Sequence, residues 1–373
     1  MEFDYFGDRP HNVALEHRRR LNLQIHERFR IRDNNDPLQT LSVTEFVRLY
    51  RIPQHAVVEL ANVLRPYFPQ RRSPHQIPLI RKILVALSFY GVGPYQRLAG
   101  RSVDCSVSQT SSSRIIREVT LALNHPEILT QYIRFPLTHE ERAPVIQSNE
   151  RLGMPRVLGF MDGFLQRVSH LPKDGDRQSF FCRKGFTALN VQIICDADLR
   201  IMNVDARWPG SLTDNTIWTA SAARNVVEHA YWEDRCWLLG DSGYYTAPWL
   251  HIPLIHAAPG TPEYVYTRLH CHCRNAVERC IGVLKERWRL LSCDRCINYG
   301  DAGYAGMFVN ACCVLHNFCI ARGVPNPRPR LEREPPVLAD DYNDLPENIR
   351  LRGLAEMQYL IDYANQRENM NAL

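Results

Sequence analysis

A chain of 373 residues with 45% hydrophobic and 10% aromatic content carries enough apolar mass for a full core, which excludes a disordered tail and leaves room for a catalytic domain with a smaller helical companion. The formal net charge of +5 is only a mild basic excess, so any nucleic-acid footprint must come from local clustering. No apolar run reaches the roughly 18 residues of a membrane span, Met1–Tyr5 lacks the parts of a secretory signal, and the 12 cysteines, several inside apolar runs such as Ala311–Leu315, read as reduced core residues; an intracellular, soluble protein of the nucleus or cytoplasm, without membrane contact, is expected.

Residues 1–37 read as a flexible basic arm, with Arg18, Arg19 and Arg20 in a row and a loop composition from Arg32 to Pro37. Residues 38–145 read as helical. Phe46, Leu49 and Tyr50, then Val57, Leu60, Ala61 and Leu64 beyond Pro53, recur at helical spacing and predict two short amphipathic helices. Ile80, Ile83, Leu84 and Leu87 mark a third, Tyr95–Leu98 a short one, and Ile115, Ile116, Val119 and Leu123 another, with Ser108 as its N-cap. A tight Ala99–Arg101 connection and a polar first turn, Ser108–Ser113, followed by Arg114 and Arg117, give this region a helix-turn-helix-like pattern that a plain helical bundle also fits. Arg114 and Arg117 are its candidate phosphate contacts.

From Arg156 the period changes. Val157–Met161, Leu165–Val168, Ala188–Ile194 and Ile201–Ala206 are short apolar or alternating runs that predict strands. Thr213–His229 reads as a helix opening in a Ser/Thr/Asp cluster, Trp237–Gly240 as a buried strand, Ile252–Ile255 as a weaker one and Asn275–Leu291 as a long helix, with a last apolar run at Met307–Ile320. Residues 146–322 thus form a predicted α/β domain, and 323–373 a Pro-rich linker, an acidic stretch around Asp340, Asp341 and Asp344, and a tail helix near Leu354–Tyr363.

Acids stand where acids are costly. Asp162 follows the apolar run Val157–Met161, Asp241 follows Trp237–Gly240, and Glu278 lies inside the long helix. A buried carboxylate without a partner costs several kcal/mol, so acids at strand ends call for metal ions or bases, and hard divalent cations take such oxygen ligands. Val277, Ile281, Leu284, Trp288 and Leu291 form the apolar stripe of the long helix, with Glu278 on its flank. Arg274, Lys285 and Arg289 fall within about 40° of Glu278, an arrangement that suits a metal ligand beside a phosphate backbone and equally an ordinary surface ion-pair network. Asp214, after Trp208–Thr213, is a fourth acid whose plain alternative is helix capping.

These segments together resemble the Harbinger transposase-derived nuclease family, relatives of PIF/Harbinger transposases with a DDE catalytic domain. The resemblance rests on Leu158–Gly163, Arg207–Ser211 with Asp214, Leu238–Tyr244, Arg274–Arg279, Gly282–Lys285 and Val314–Asn317, and upstream on Phe89–Gln96 and Val107–Ser111. It implies an RNase H-like mixed sheet flanked by helices, behind an N-terminal all-α helix-turn-helix-like region. It matches Asp162, Asp241 and Glu278 to the DDE triad and Asp214 to an additional acid of the metal site. One departure stands out: the family's first motif usually runs Asp-Cys-Thr-His, whereas Asp162 is followed here by Gly163, Phe164 and Leu165.

The implied activity is endonucleolytic cleavage of DNA with two divalent ions, Mg²⁺ or Mn²⁺, held by Asp162, Asp214, Asp241 and Glu278. Arg183 and Lys184, with Arg274 and Lys285, are candidate phosphate contacts near the acids. A Myb/SANT-like DNA-binding partner and nuclear entry follow from the resemblance alone, and a homo-oligomer stays open. The main alternative is a domesticated, catalytically inactive protein that binds DNA or recruits partners. A zinc site from His270, Cys271, His272, Cys273, Cys293 and Cys296 is disfavoured, because adjacent ligands cannot all face one ion and the Glu278 helix intervenes.

Overall fold

The computed structural model describes residues 35–70, 76–93, 107–169, 177–298, 302–329 and 345–371, with scattered positions between 16 and 34. The predicted Tyr95–Leu98 helix, the Ala99–Arg101 connection and the acidic stretch around Asp340 lie outside the described residues. The chain divides into two compact units, Met1–Val119 and Thr120–Leu373.

In the first unit, α1 (Pro37–Thr40), α2 (Val43–Tyr50), α3 (Gln54–Leu64) and α4 (Leu79–Val92) follow one another, and α5 (Gln109–Leu123) begins. Helix α2 starts at a capping box in which Ser42 Oγ accepts from the Glu45 amide and Glu45 reaches back to the Ser42 amide. The stripe read from sequence is the buried one: Phe46, Tyr50, Val57, Leu60, Ala61 and Leu64 on α2 and α3, and Ile83, Leu84 and Leu87 on α4. Ser108 opens α5 as expected, its Oγ accepting from the Ser111 amide at 3.2 Å, and Arg114 and Arg117 are exposed on that helix.

The second unit is mixed α/β, a five-stranded mixed sheet flanked by helices, in the order β3-β2-β1-β4-β5. Strands β1 (Val157–Arg167), β2 (Ala188–Cys195) and β3 (Ile201–Pro209) form an antiparallel meander, while β4 (Trp237–Leu239) and β5 (Leu250–His251) run parallel to β1. The two apolar runs expected as separate strands at Val157–Met161 and Leu165–Val168 are one strand. Asp162, Gly163 and Phe164 between them stay in the ladder, opposite Ile193, Gln192 and Val191. The polar interruption is a break in burial, not in backbone pairing. The weak strand expected at Ile252–Ile255 forms at Leu250–His251 instead, because Pro253 has no N–H to offer a ladder.

Around the sheet lie α6 (Pro126–Tyr132), α7 (His139–Glu150), α8 (Asp214–Ala220), α9 (Ala222–Asp234), α10 (Pro262–Arg287), α11 (Ala302–Ala321) and α12 (Glu347–Asn371). The single helix expected over Thr213–His229 is two helices. Ser221 leaves the helical region at ψ 136° and caps α9 by accepting from the Ala223 amide. Helix α10 begins at Pro262 behind the N-cap Thr261, well before the expected Asn275, and ends at Arg287, where Trp288 turns out at φ −110°, ψ 83°. Its first half is buried through Tyr266, His270 and Cys273, a face with no aliphatic residue to announce it. Helix α7 is equally silent in periodicity; the Thr138/Glu141 capping box starts it, and the nearly fully buried Arg142 fixes it through Glu233 at 2.6 Å, Asp234 and the Leu137 carbonyl.

Helix α11 packs on β3 and α6. It is the one described helix long and apolar enough to cross a membrane, yet 72% of its apolar window is buried inside the protein. The His316–Asn317 pair of the Val314–Asn317 motif fastens it to the sheet. Asn317 Oδ1 accepts from the Ile201 amide at 2.9 Å while its Nδ2 donates to the carbonyls of Ile201 and Tyr132. His316 Nε2 lies 2.8 Å from the Leu199 carbonyl. Buried polar side chains of this kind satisfy strand-end backbone groups and set the place of β3 relative to the helix.

Candidate active site

Strand β4 is short, so β1 loses a neighbour just past the point where Phe160 pairs with Leu239. Asp162 on β1 and Asp241, two residues beyond β4, stand at this opening. Local sequence shapes the Asp241 turn. Gly240 donates to the His251 carbonyl, and a Cβ on it would meet the Tyr244 ring at 2.9 Å, so the buried tyrosine packs against bare backbone. The Gly243 amide then donates to Asp241 Oδ1 at 2.9 Å. In the same way, the Gly163 amide donates to Asp162 Oδ1 at 2.9 Å.

Helix α10 packs on β1, β2 and β4 and carries two further charges to the site. The Arg274 guanidinium donates to Asp162 Oδ2 at 2.9 Å through one nitrogen and to Glu278 Oε1 at 2.6 Å through another. The Arg274 side chain is only 16% exposed and that of Asp162 19%, against 43% for Glu278, so the bond to Asp162 is the sheltered one. Burial disfavours the Arg274 charge, but the Asp162, Glu278 and Asp241 carboxylates more than offset it and hold the guanidinium firmly protonated.

Asp214 is the first residue of α8, and its Oδ1 accepts from Asn190 Nδ2 at 2.8 Å; the same nitrogen reaches the Leu212 carbonyl at 3.0 Å. Asn190 lies on β2, every residue of which is buried. Burial first, then the neighbouring Asp162 and Asp214 carboxylates, push the Asp241 carboxyl up to about 7 against the opposing pull of Arg274. Asp162, Asp241 and Asp214 therefore feel one another, and Glu278 joins them through Arg274.

The sequence-derived cations fall into two groups. Arg183 and Lys184 are exposed at the tip of a tight turn in which Cys182 and Phe186 pair at 2.9 Å and Gly185 takes φ +80°. That turn leads directly into β2, and Ser179, just before it, accepts from the Ser211 amide three residues ahead of Asp214. Lys285 and Arg274 are sheltered instead: Lys285 is buried, with its ammonium 4.8 Å over the Phe164 ring, and Arg274 is committed to the acids. Asn190 escaped sequence reading as a site residue. Its signal was present as a polar side chain in an otherwise apolar strand run.

The chemistry of the donors fits a divalent cation. They are carboxylate oxygens, the ligands that hard divalent cations take, and Arg274 pairs with two of them, Asp162 and Glu278, while opposing the rise of Asp241. Among the described residues no three His, Cys, Asp or Glu side chains gather closely enough to hold an ion as they stand, and Arg274 occupies the space between Asp162 and Glu278. The zinc candidates separate as their helical spacing requires. His270 and Cys273 are buried on α10, whereas Cys271 and His272 are exposed.

The site thus has Asp162 on a strand, Asp241 just past the end of its parallel neighbour and Glu278 on the helix packed over both. Residues 161–317 match the DDE superfamily endonuclease family. The chain is 30% identical over 302 residues to a Homo sapiens protein named "Putative nuclease HARBI1", covering 80% of this chain and 82% of that one. It is 31% identical to the Mus musculus protein of the same name, with 85% and 88% covered. It is also 27% identical to the Arabidopsis thaliana "Protein ALP1-like" over 45% of this chain and 44% of that one. The chain belongs to the Harbinger transposase-derived nuclease family. No solved structure matches it.

Proposed function

We propose that this protein is a divalent metal-dependent DNA endonuclease that hydrolyses phosphodiester bonds with Asp162, Asp241 and Glu278 as its catalytic acids and Asp214 as a further metal ligand. The observation that carries the reading is the Asp241 carboxyl, pushed up to about 7 by burial and then by the nearby Asp162 and Asp214 carboxylates, with Arg274 tying Asp162 to Glu278. The strand order agrees with an RNase H-like sheet, and the cap and exposed arginines of α5 agree with a helix-turn-helix that meets the DNA backbone through Arg114 and Arg117.

Two bound Mg²⁺ or Mn²⁺ ions supply a water of lowered pKa and offset the charge on the leaving oxygen. The protein's own part is to place ligands and substrate. Asp162 presents oxygens from within β1, Asp241 from the turn just past β4 and Glu278 from α10, and Asn190 fixes the orientation of Asp214. Arg274, which pairs with Asp162 and Glu278, would have to yield these carboxylates to a bound ion and could then meet a phosphate oxygen. Arg183 and Lys184, on the turn beside Asp214, hold the strand by its backbone. A Myb/SANT-like partner that supplies sequence recognition and carries the protein to the nucleus completes the proposal.

A binding protein without cleavage is the second reading, favoured by the position of Arg274 between two of the acids. The test is nicking of duplex DNA by the purified protein in Mg²⁺ or Mn²⁺, with Asp241→Ala and chelator controls. Cleavage lost in both controls supports the nuclease. Equal background in every arm, with DNA binding intact, supports the binding protein.

A further inference from the structure

Gly163 stands where the family resemblance leads one to expect a side chain, and its backbone gives no reason for a glycine. It lies inside β1, paired with Gln192, and is absent from the positive-φ residues of the chain. A glycine in a strand interior weakens the strand, so its presence there marks a close approach by some other group. That group is Asp214. A Cβ at position 163 would lie 2.6 Å from Asp214 Oδ1, 3.1 Å from its Cγ and 3.3 Å from Asn190 Oδ1. No real Cβ tolerates the first of these distances, and Asp214 is not a loose chain end able to swing aside. Its backbone starts α8 behind the Thr213 cap, and Asn190 holds its carboxylate at 2.8 Å.

We infer that Gly163 and Asn190 form a seat for the Asp214 carboxylate, so that position 163 is a positioning residue that sets the place of the fourth acid beside Asp162 and Asp241. The pleat of β1 turns the Asp162 side chain and the bare face of Gly163 to opposite sides of the strand. Arg274 and Glu278 meet Asp162, and Asp214 closes over Gly163, which brings acids to β1 from both of its faces. Asp241 feels both Asp162 and Asp214. The inference rests on the metal-dependent nuclease reading for its functional meaning, and on packing alone for the seat.

The test is a double-mutant cycle on the full-length protein: wild type, Gly163→Ala, Asp214→Ala and the pair, each measured for Mn²⁺ affinity by spin-resonance titration and for metal-free melting temperature. Gly163→Ala is expected to weaken Mn²⁺ binding about tenfold, as loss of ligand support does, and to lower the metal-free melting temperature by about 2–4 °C. In the Asp214→Ala background the same alanine should change neither, because the atom it strikes is gone. The seat is overturned if Gly163→Ala is silent in the wild-type background, or if its cost persists undiminished when Asp214 is removed. Wild type that binds no Mn²⁺ refutes the metal-dependent reading, and the metal-free melts still decide the seat.

Discussion

Asp241 holds a proton in the folded, metal-free protein at pH values where the unfolded chain has lost it. Its carboxyl rises from the ordinary 3.8 to about 7 because burial and then Asp162 disfavour its charge. Between those values the native state binds more protons than the unfolded one, so the Asp241 contribution to stability falls as pH rises through that window. Melting curves from pH 4 to 8 without metal should show that fall in the wild type and lose it in Asp241→Asn. Arg274 makes a prediction of opposite sign for metal. Replacing it with Gln leaves Asp162 and Glu278 unpaired, so the metal-free protein should lose on the order of 3 kcal/mol. The same change removes the cation that a metal must displace. Mn²⁺ should therefore raise the melting temperature of Arg274→Gln by more than it raises that of the wild type. A smaller rise would mean that Arg274 supports the ligands rather than competing for them.

At the scale of elements, the helix that bears Arg274 and Glu278 is braced from behind. Helix α12 packs along α10 and is anchored by the buried Glu356, which accepts from Tyr231 Oη at 2.8 Å and from Arg235 Nη2 at 2.8 Å. Burial pulls the Glu356 carboxyl up, and the Arg235 and Tyr231 hydrogen bonds more than offset it, so its net shift is downward. A depressed carboxylate stabilises above its unfolded value and loses that contribution as pH falls through its folded one. Glu356→Gln should cost toward the lower end of the roughly 3–5 kcal/mol of a broken buried pair, because Arg235 is 44% exposed and can rehydrate; denaturant melts would read it. Much at this scale was legible in sequence. Asp162 and Asp241 announced themselves as acids closing apolar runs, and Arg274 as a cation four residues before Glu278. The first half of α10 was not, because its buried face is Tyr266, His270 and Cys273 rather than an aliphatic stripe, and α7 was not, because a cap and the buried Arg142 fix it. The Gly163–Asn190–Asp214 contact was illegible for a different reason: only strand register brings these positions together, and register is not written in local pattern.

For the whole molecule, a net charge of +5 spread over 373 residues gives DNA little general attraction, so binding should depend on a few placed cations. Arg183 and Lys184, on the exposed turn that leads into β2, are the pair to test. Each alanine substitution should reduce the slope of log K against log salt by about 0.9, the value for one phosphate contact on duplex DNA. Fluorescence anisotropy on unrelated duplexes would measure it, and an unchanged slope would take the turn out of the DNA path. Chelation should leave this binding in place while removing any cleavage.

The bracing of α10 by α12 also has an order in time. A ribosome makes Asp162, Asp214, Asp241 and Glu278 before it makes Glu347–Asn371, so a nascent chain that already displays every acid still lacks the support under two of the site's charges. The acids are in hand early, and the helix that braces Arg274 and Glu278 from behind is the last part of the fold to be made.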